Sequence, residues 1–436
     1  MTITVAIVGS GPSGFYTAAS LLESGADVQI DIIERLPTPF GLIRGGVAPD
    51  HQTTKRVMKA YERTALAAPV RYFGNVLVGR DVSLAELRET YDAVVLAVGA
   101  PFDRPLGIPG EDKKGVYGSA AFVGWYNGHP DFRDLEPDLD TMAVAIIGNG
   151  NVAIDCARVL VKTRKEMSTS DLSDHAADAI EKSPITDVYM FGRRGPIEAK
   201  FTNVELREMG ELEDCHAVVD PAQLPDAVTG EMSDRDRRLR EKNLATLKEF
   251  AAIPAGARKK RVHFAFYAKP VEILGGAKVE GLRLERTKVA DGRAVDTGEF
   301  FEVKCGLVIA AIGYTGEPLD GAPFDARQGV VTNQEGRIER GLYAAGWIRR
   351  GPTGVIGTNK PDGDMVAEHI VKELAPGGKP GRVAFEALLA KKGVIPVTYP
   401  DWKTIEAAEI AAASPGAPRR KFARVTEMLN LLGRPG

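Results

Sequence analysis

The sequence predicts an α/β fold in which one parallel-sheet domain is inserted into another, and three observations carry that reading. First, the apolar run Val5-Ala6-Ile7-Val8 has strand length and is followed at once by Gly9-Ser10-Gly11-Pro12-Ser13-Gly14. Second, a near copy returns in Ala143 to Ile147, followed by Gly148-Asn149-Gly150-Asn151-Val152-Ala153. Third, each copy is closed far downstream by another apolar strand ending in glycine, Tyr91 to Gly99 and Gly306 to Gly313. A buried strand, G-x-G-x-x-G or -A, and a helix define a Rossmann-like unit. The chain therefore reads as two such nucleotide-binding domains in series.

In the first unit Gly9 allows the tight turn, Gly11 lets the backbone approach a pyrophosphate, and Gly14 lets helix and strand pack closely. The helix from Pro12 turns its free N–H groups toward the phosphates. Gln29 to Glu34 is the next strand, and Glu34, 20 residues past Gly14, can accept hydrogen bonds from a ribose. The loop from Arg35 to Val47 holds two prolines and three glycines, which exclude a helix and fit a cradle along the bound cofactor. Asp50 to Ala68 reads as a helix, Val70 to Phe73 and Asn75 to Val78 as short strands, and Leu84 to Glu89 as a helix. Pro101 to Gly110 has the composition of a linker.

The second unit departs from the first where its second strand ends. Asp187 to Phe191 runs into Gly192-Arg193-Arg194-Gly195, with two arginines in place of Glu34. An acid would repel a ribose 2′-phosphate, whereas guanidinium offers planar, multi-donor recognition of it. The second site therefore reads as NADP(H) rather than NAD(H). Asp171 to Pro184 is a largely helical insertion, and Phe201 to Glu213 and Asp234 to Phe250 are helices. Val262 to Tyr267, Pro270 to Leu274, Val279 to Glu285 and Phe300 to Lys304 read as antiparallel strands. Gly341 to Trp347 is a further strand, Ile348 to Asn359 a glycine-rich turn, Asp362 to Glu373 a helix, and Pro376 to Arg382 a mobile loop; a helix near Val425 to Leu432 ends the chain.

Bulk properties narrow the function classes. The 436 residues suffice for two or three domains, and 44% hydrophobic with 26% charged residues is ordinary for a globular protein. A net charge of −3 argues against general nucleic-acid binding. No run approaches the roughly 20 apolar residues of a membrane span. No signal-peptide pattern precedes the first strand, so the cytoplasm is the expected compartment. Cys156, Cys215 and Cys305 lie far apart, which excludes a C-x-x-C redox pair, and neither an iron–sulfur cluster nor another metal site is expected.

A chain binding two dinucleotides is most simply an enzyme passing electrons between them, with FAD resident in the first site and NADPH visiting the second. Lacking a cysteine pair, it must send electrons from flavin to an external acceptor. The motif Ile7 to Gly14, the stretches Leu36 to Arg44 and Gly46 to His51, Ile147 to Ala153, Gly192 to Pro196, and Gly346 to Asn359 together resemble the adrenodoxin reductase family of ferredoxin–NADP(+) reductases, in particular its actinobacterial members. That family has the glutathione reductase type of two-domain fold. The resemblance implies that Ser13, Glu34, Leu42, Val78, Trp347, Gly354, Val355 and Ile356 contact FAD. It implies that Arg104, Asn149, Gly150, Asn151, Val152, Arg193, Arg194, Glu205 and Gly354 contact NADP. It further makes His51 and Glu208 a histidine–carboxylate pair that orients nicotinamide or relays a proton, although a lone histidine is more often structural. Phe40 stands where relatives often carry tryptophan, and Gly45 where some carry serine.

The implied activity is transfer of electrons between NADPH and a ferredoxin, an acidic iron–sulfur protein that can feed a cytochrome P450, by a monomer with no membrane span. Lys55, Arg56, Lys59, Lys259, Lys260 and Arg261 could face such a partner or be ordinary solvated surface. The expected FAD domain comprises residues 1–105 and 320–436, with the NADP domain between them at 106–319. A reductase of a small acceptor such as a quinone, a glutamate synthase-like subunit and a flavin-binding scaffold without turnover are the rivals.

Overall fold

The structure, a computed structural model, describes residues 2–254, 256, 258–375 and 377–435. It divides into two compact units: residues 1–102, 127–133 and 313–436 form the first, and residues 103–126 and 134–312 the second.

The first unit is built on a six-stranded sheet in the order Arg337–Glu339, Leu342–Ala344, Ala93–Leu96, Ile3–Val8, Val28–Ile33, Val70–Phe73. All neighbours are parallel except the outermost pair, Arg337–Glu339 with Leu342–Ala344. Strands buried on both faces must be apolar throughout, as the Ile3–Val8 sequence is. Val5, Ile7, Ile30 and Ile32 pack with Phe15, Tyr61 and Trp402. Ala6, Val8, Val94 and Leu96 belong to a separate cluster with Leu87, Tyr91 and Phe385. The strand order reverses at Ile3–Val8, which has the second strand on one side and the fourth on the other, so the crevice for a ligand opens at its carboxyl end, at Gly9.

The second unit repeats the plan. Its six parallel strands run Val116–Gly118, Leu307–Ala310, Ala143–Ile147, Asp187–Phe191, Lys260–Ala265, Cys215–Val219. The reversal falls at Ala143–Ile147, ahead of Gly148. An antiparallel sheet of Ala268–Leu274, Gly281–Ala290 and Arg293–Lys304 covers one side, packing Ile273, Leu282 and Leu284 against Ala145, Ile147 and Phe191.

Several local expectations change. Lys260–Ala265 is parallel in the main sheet rather than antiparallel, and the edge strand Cys215–Val219 beside it was not foreseen. Asn75 adopts φ 59, which ends the preceding strand, so Asn75 to Val78 is not a strand. The helix expected over Asp50 to Ala68 is two short helices, Gln52–Lys55 and Met58–Ala65, separated by tight turns at Arg56 and Val57. The helix expected over Phe201 to Glu213 shrinks to Asn203–Glu208, capped at its start by the Thr202 hydroxyl. Helices Ser119–Asn127, Arg382–Lys391 and Tyr399–Ala411 are additional. The loop expected at Pro376 to Arg382 lies partly outside the described residues, since Pro376 is not described.

Candidate dinucleotide sites

In the first unit each glycine of the opening motif has a distinct physical reason. Gly9 has φ +109, and a Cβ there would lie 2.4 Å from the Ala97 carbonyl oxygen. A Cβ on Gly14 would lie 2.1 Å from the Gly9 carbonyl oxygen, so the helix sits directly on the turn. A Cβ on Gly11 would meet nothing within 4 Å. Gly11 caps the helix Pro12–Glu23 without a side chain of its own, leaving the first N–H groups and the positive end of the helix dipole available to an anion.

Glu34 is half-buried and held in place. One oxygen accepts from the Ser10 N–H at 3.0 Å and the Ser10 hydroxyl at 2.6 Å; the other accepts from the Leu36 N–H at 3.2 Å. The following loop returns over the glycine turn. The Phe40 N–H donates to the Ser10 carbonyl at 3.0 Å, and a Cβ on Gly41 would come within 3.0 Å of the Gly11 Cα. Phe40 has φ 84 and Gly41 φ 49, a left-handed pair in which the phenylalanine is strained. Leu42 is 46% exposed just beyond. Ser13 and Val78 are buried.

The second wall of this site was only partly foreseen. Gly346 is pressed against Ser13, where a Cβ would lie 2.6 Å from the serine Cβ. Trp347 stacks on Tyr314 at 5.8 Å between ring centroids and donates Nε1–H to the Thr353 carbonyl at 3.2 Å. Gly354 has φ 85, Val355 is 61% exposed, and Ile356 opens a short 3₁₀ turn. Asp362 organises the whole segment. Its carboxylate, 4% exposed, accepts from the Gly346 N–H at 3.0 Å, from Arg349 at 2.6 Å and from Arg350 at 2.7 Å. Arg350 in turn donates to Thr353, Thr358 and Asn359. From sequence Asp362 stands out only as the start of a helix; an aspartate in the first turn after a glycine-rich loop carrying two arginines is the signal for this role.

In the second unit Gly148 takes φ +149 beneath the Ala311 carbonyl, and Gly150, like Gly11, is open. Asn149 lies across Gly192, where a Cβ would fall 1.7 Å from its Nδ2, and its Oδ1 is buried without a hydrogen-bond partner among the described residues. The Asn149 carbonyl accepts from the Lys200 N–H at 2.8 Å, and Asn151 Oδ1 accepts from the Thr202 N–H at 2.8 Å. Both asparagines thus tie the glycine turn to the chain before helix Asn203–Glu208. Val152 is half-buried in the first turn of helix Asn151–Val161.

The arginine turn is fixed by its backbone. The Arg193 carbonyl accepts from the Thr287 hydroxyl at 2.8 Å, and the Arg194 carbonyl from the Tyr267 N–H at 3.1 Å. Arg193 is exposed, and among the described residues its guanidinium has no ion-pair partner; Arg194 reaches only the Gly292 carbonyl, at 3.4 Å. A main chain pinned in this way, carrying one guanidinium with no ion-pair partner among the described residues and a second held by a single long carbonyl contact, suits a dianionic phosphate.

The carboxylates of Glu205 and Glu208 gather around Arg158, which is fully buried. It donates to Asp155 at 2.7 Å and approaches Glu205 at 3.4 Å and Glu208 at 3.5 Å. Arg104 is half-buried in the same unit. His51 belongs to the first unit, half-buried at the start of helix Gln52–Lys55, where its carbonyl accepts from the Lys55 N–H at 3.2 Å. Of the basic residues considered for partner docking, Lys55 is 1% exposed and is no surface group. Lys260 donates to the Leu160 carbonyl at 3.2 Å, and Arg261 is bidentate to Asp187 at 2.7 Å, while Arg56, Lys59 and Lys259 are exposed. The three cysteines are free and buried; burial pushes the thiols of Cys215 and Cys305 up to about 12 and that of Cys156 well above its ordinary value.

Two glycine turns at two strand-order reversals, one followed by an anchored carboxylate and the other by paired arginines, define a protein with two nucleotide sites. Residues 3–190 match the family model described as pyridine nucleotide-disulphide oxidoreductase. The match is narrower than that class. NADPH-ferredoxin reductase FprA of Mycobacterium tuberculosis is 42% identical over 98% of this chain and 98% of its own length. The human mitochondrial NADPH:adrenodoxin oxidoreductase is 42% identical over 99% of this chain and 92% of its own. The solved structure of Mycobacterium tuberculosis FprA in complex with NADPH superimposes with a TM-score of 0.94, covering 99% of each chain. The chain belongs to the adrenodoxin reductase family of NADPH–ferredoxin reductases.

Proposed function

We propose that the first unit holds FAD, that the second binds NADP(H), and that the chain acts as a reductase moving electrons from NADPH to a ferredoxin. The observation that carries the reading is the contrast between the two second-strand ends: an anchored carboxylate at Glu34 and guanidinium groups at Arg193 and Arg194. The first accepts from ribose hydroxyls; the second recognises a 2′-phosphate.

The residues of the first unit fit FAD. The open backbone at Gly11 receives the pyrophosphate, with the helix dipole behind it. Glu34 holds the adenosine ribose. Leu42 and Val355, exposed and apolar, together with Trp347, Gly354 and Ile356, supply faces and backbone N–H groups for the ring system. In the second unit Gly150, Asn151 and Val152 take the NADP pyrophosphate at the start of their helix. Asn149, from the same turn, is the further residue for this nucleotide; its Oδ1 is buried with no hydrogen-bond partner among the described residues. Arg104 and Glu205 of this unit also contact NADP, and Glu208 here and His51 of the first unit are the candidates to orient nicotinamide or relay a proton. When bound, the flavin accepts hydride from the nicotinamide and hands on electrons singly. With three free, buried cysteines the chain has no dithiol of its own to reduce, which supports an external iron–sulfur acceptor. Free cysteines also support a reducing, cytoplasmic setting, and no described helix is long and apolar enough to cross a membrane. The acceptor could serve a cytochrome P450.

The test is an anaerobic titration of the flavin-loaded protein with NADPH and separately with NADH, following flavin bleaching. Bleaching at far lower NADPH than NADH concentration is expected. Equal response to the two would sink the assignment of Arg193 and Arg194, and no response to either would leave a flavin-binding protein without turnover.

A further inference from the structure

The loop that crosses the first glycine turn carries left-handed backbone at both Phe40 and Gly41, and something must hold it. Among its neighbours is the C-terminal segment. Helix Tyr399–Ala411 presents Trp402 and Glu409 to the loop. Trp402, fully buried, meets Phe40 edge-on at 6.1 Å between centroids, and the Arg44 guanidinium lies over the Trp402 ring at 5.2 Å.

Glu409 is fully buried. Its carboxylate accepts two hydrogen bonds from Arg44, one of them at 2.9 Å, one from the Phe422 N–H at 2.9 Å and one from Arg419 at 3.5 Å. Lys421, next in sequence, sends its ammonium to the Arg44 carbonyl at 3.1 Å and to the carbonyl and Oδ1 of Asn127 at 3.2 Å. The far end of the loop is gripped as well: a Cβ on Gly45 would lie 2.9 Å from the His129 ring.

We propose that Glu409 is a positioning residue for FAD: through its bidentate grip on Arg44 it holds the Phe40–Gly45 loop in the conformation that closes over the dinucleotide. The proposal rests on the reading of the first unit as the FAD site. Glu409, fully buried, acts through Arg44 on Gly41, whose backbone packs on Gly11, and on Leu42. Removing the Glu409 carboxylate takes away the two hydrogen bonds that hold the buried Arg44 guanidinium, while Arg419 keeps Glu406 at 3.0 Å. The strained loop then loses a restraint on its conformation.

Full-length holoproteins of the parent, Glu409→Gln and Arg44→Lys are compared, with Glu368→Gln, at the exposed ion pair with Lys372 in the same unit, as control. Release of FAD is followed by flavin fluorescence on dilution, and the visible circular dichroism of the bound flavin reports its setting. Expected are FAD release faster by about tenfold or more in both loop variants and an altered flavin dichroism, with the control like the parent. FAD release and dichroism unchanged in both loop variants, whatever happens to their unfolding midpoints, would overturn the proposal while leaving the FAD reading intact. A parent that does not retain FAD overturns both.

Discussion

At the end of its second strand each sheet carries charge, and its sign differs between the two. Glu34 is oriented by Ser10, whereas Arg193 and Arg194 hang from a main chain pinned by Thr287 and Tyr267. Replacing both arginines by alanine is expected to raise KM for NADPH by about 10–100-fold, the range of one or two lost charge-assisted hydrogen bonds. KM for NADH should move by less than about threefold, because NADH lacks the phosphate those groups recognise. Steady-state kinetics with both nucleotides checks this. Gly11 and Gly14 predict opposite phenotypes. Gly14→Ala drives a methyl group into the Gly9 carbonyl and should cost about 1–3 kcal/mol or more in denaturant unfolding. Gly11→Ala meets open space, so it should change stability by under about 1 kcal/mol while weakening flavin retention. Both roles could be read from spacing alone, as could Glu34 and the arginines, because they follow from backbone geometry and local charge. His129 could not: its environment comes from distant chain. Burial lowers its imidazole to about 4, against the pull of Asp131, so the folded protein holds it neutral while the unfolded chain protonates near 6.5. Stability is therefore complete above that value and is lost as pH falls from about 6.5 to 4, by up to about 3 kcal/mol. His129→Gln should flatten that part of the pH–stability curve in urea titrations.

Among the elements, those announced by apolar runs came through: Ile3–Val8, Val28–Ile33, Ala143–Ile147 and Asp187–Phe191 all lie in parallel sheets. The elements that escaped notice depend on partners remote in sequence. Helix Ser119–Asn127 is capped by the Asp103 carboxylate, which accepts from the Ala120 N–H at 2.7 Å and the Ala121 N–H at 3.2 Å. Cys215–Val219 is an edge strand defined by pairing with Lys260–Ala265. Helix Tyr399–Ala411, by contrast, was announced by the capping box of Thr398 and Asp401 and could have been seen. Asp362 is the strongest case of a site residue hidden by its distance from the chemistry. Asp362→Asn would leave Arg349 and Arg350, both largely buried, without their carboxylate, and a loss of about 3 kcal/mol is expected. Chemical denaturation measures it, and a change below about 1 kcal/mol would mean that the arginines find other acceptors.

For the molecule as a whole, reduction of the flavin by NADPH and delivery of electrons to a protein acceptor can be separated by experiment. Reduction of a ferredoxin should slow as ionic strength rises, whereas bleaching of the flavin by NADPH should respond less, because only the former is an encounter between charged protein surfaces. Stopped-flow traces at low and high salt compare the two steps directly. The chain path also bears on how the protein is made. The Ala93–Leu96 strand takes its outer neighbour from Leu342–Ala344, so that flank lies open while the intervening residues are translated. Residues 103–126 and 134–312 meanwhile leave the ribosome with every strand of their own main sheet. The inserted unit can mature first, while the N-terminal segment, residues 1–102, keeps one flank of its sheet unpaired until the last quarter of the message has been read. Until then that edge is the exposed, unpaired sheet edge at which a nascent chain is most open to wrong pairing.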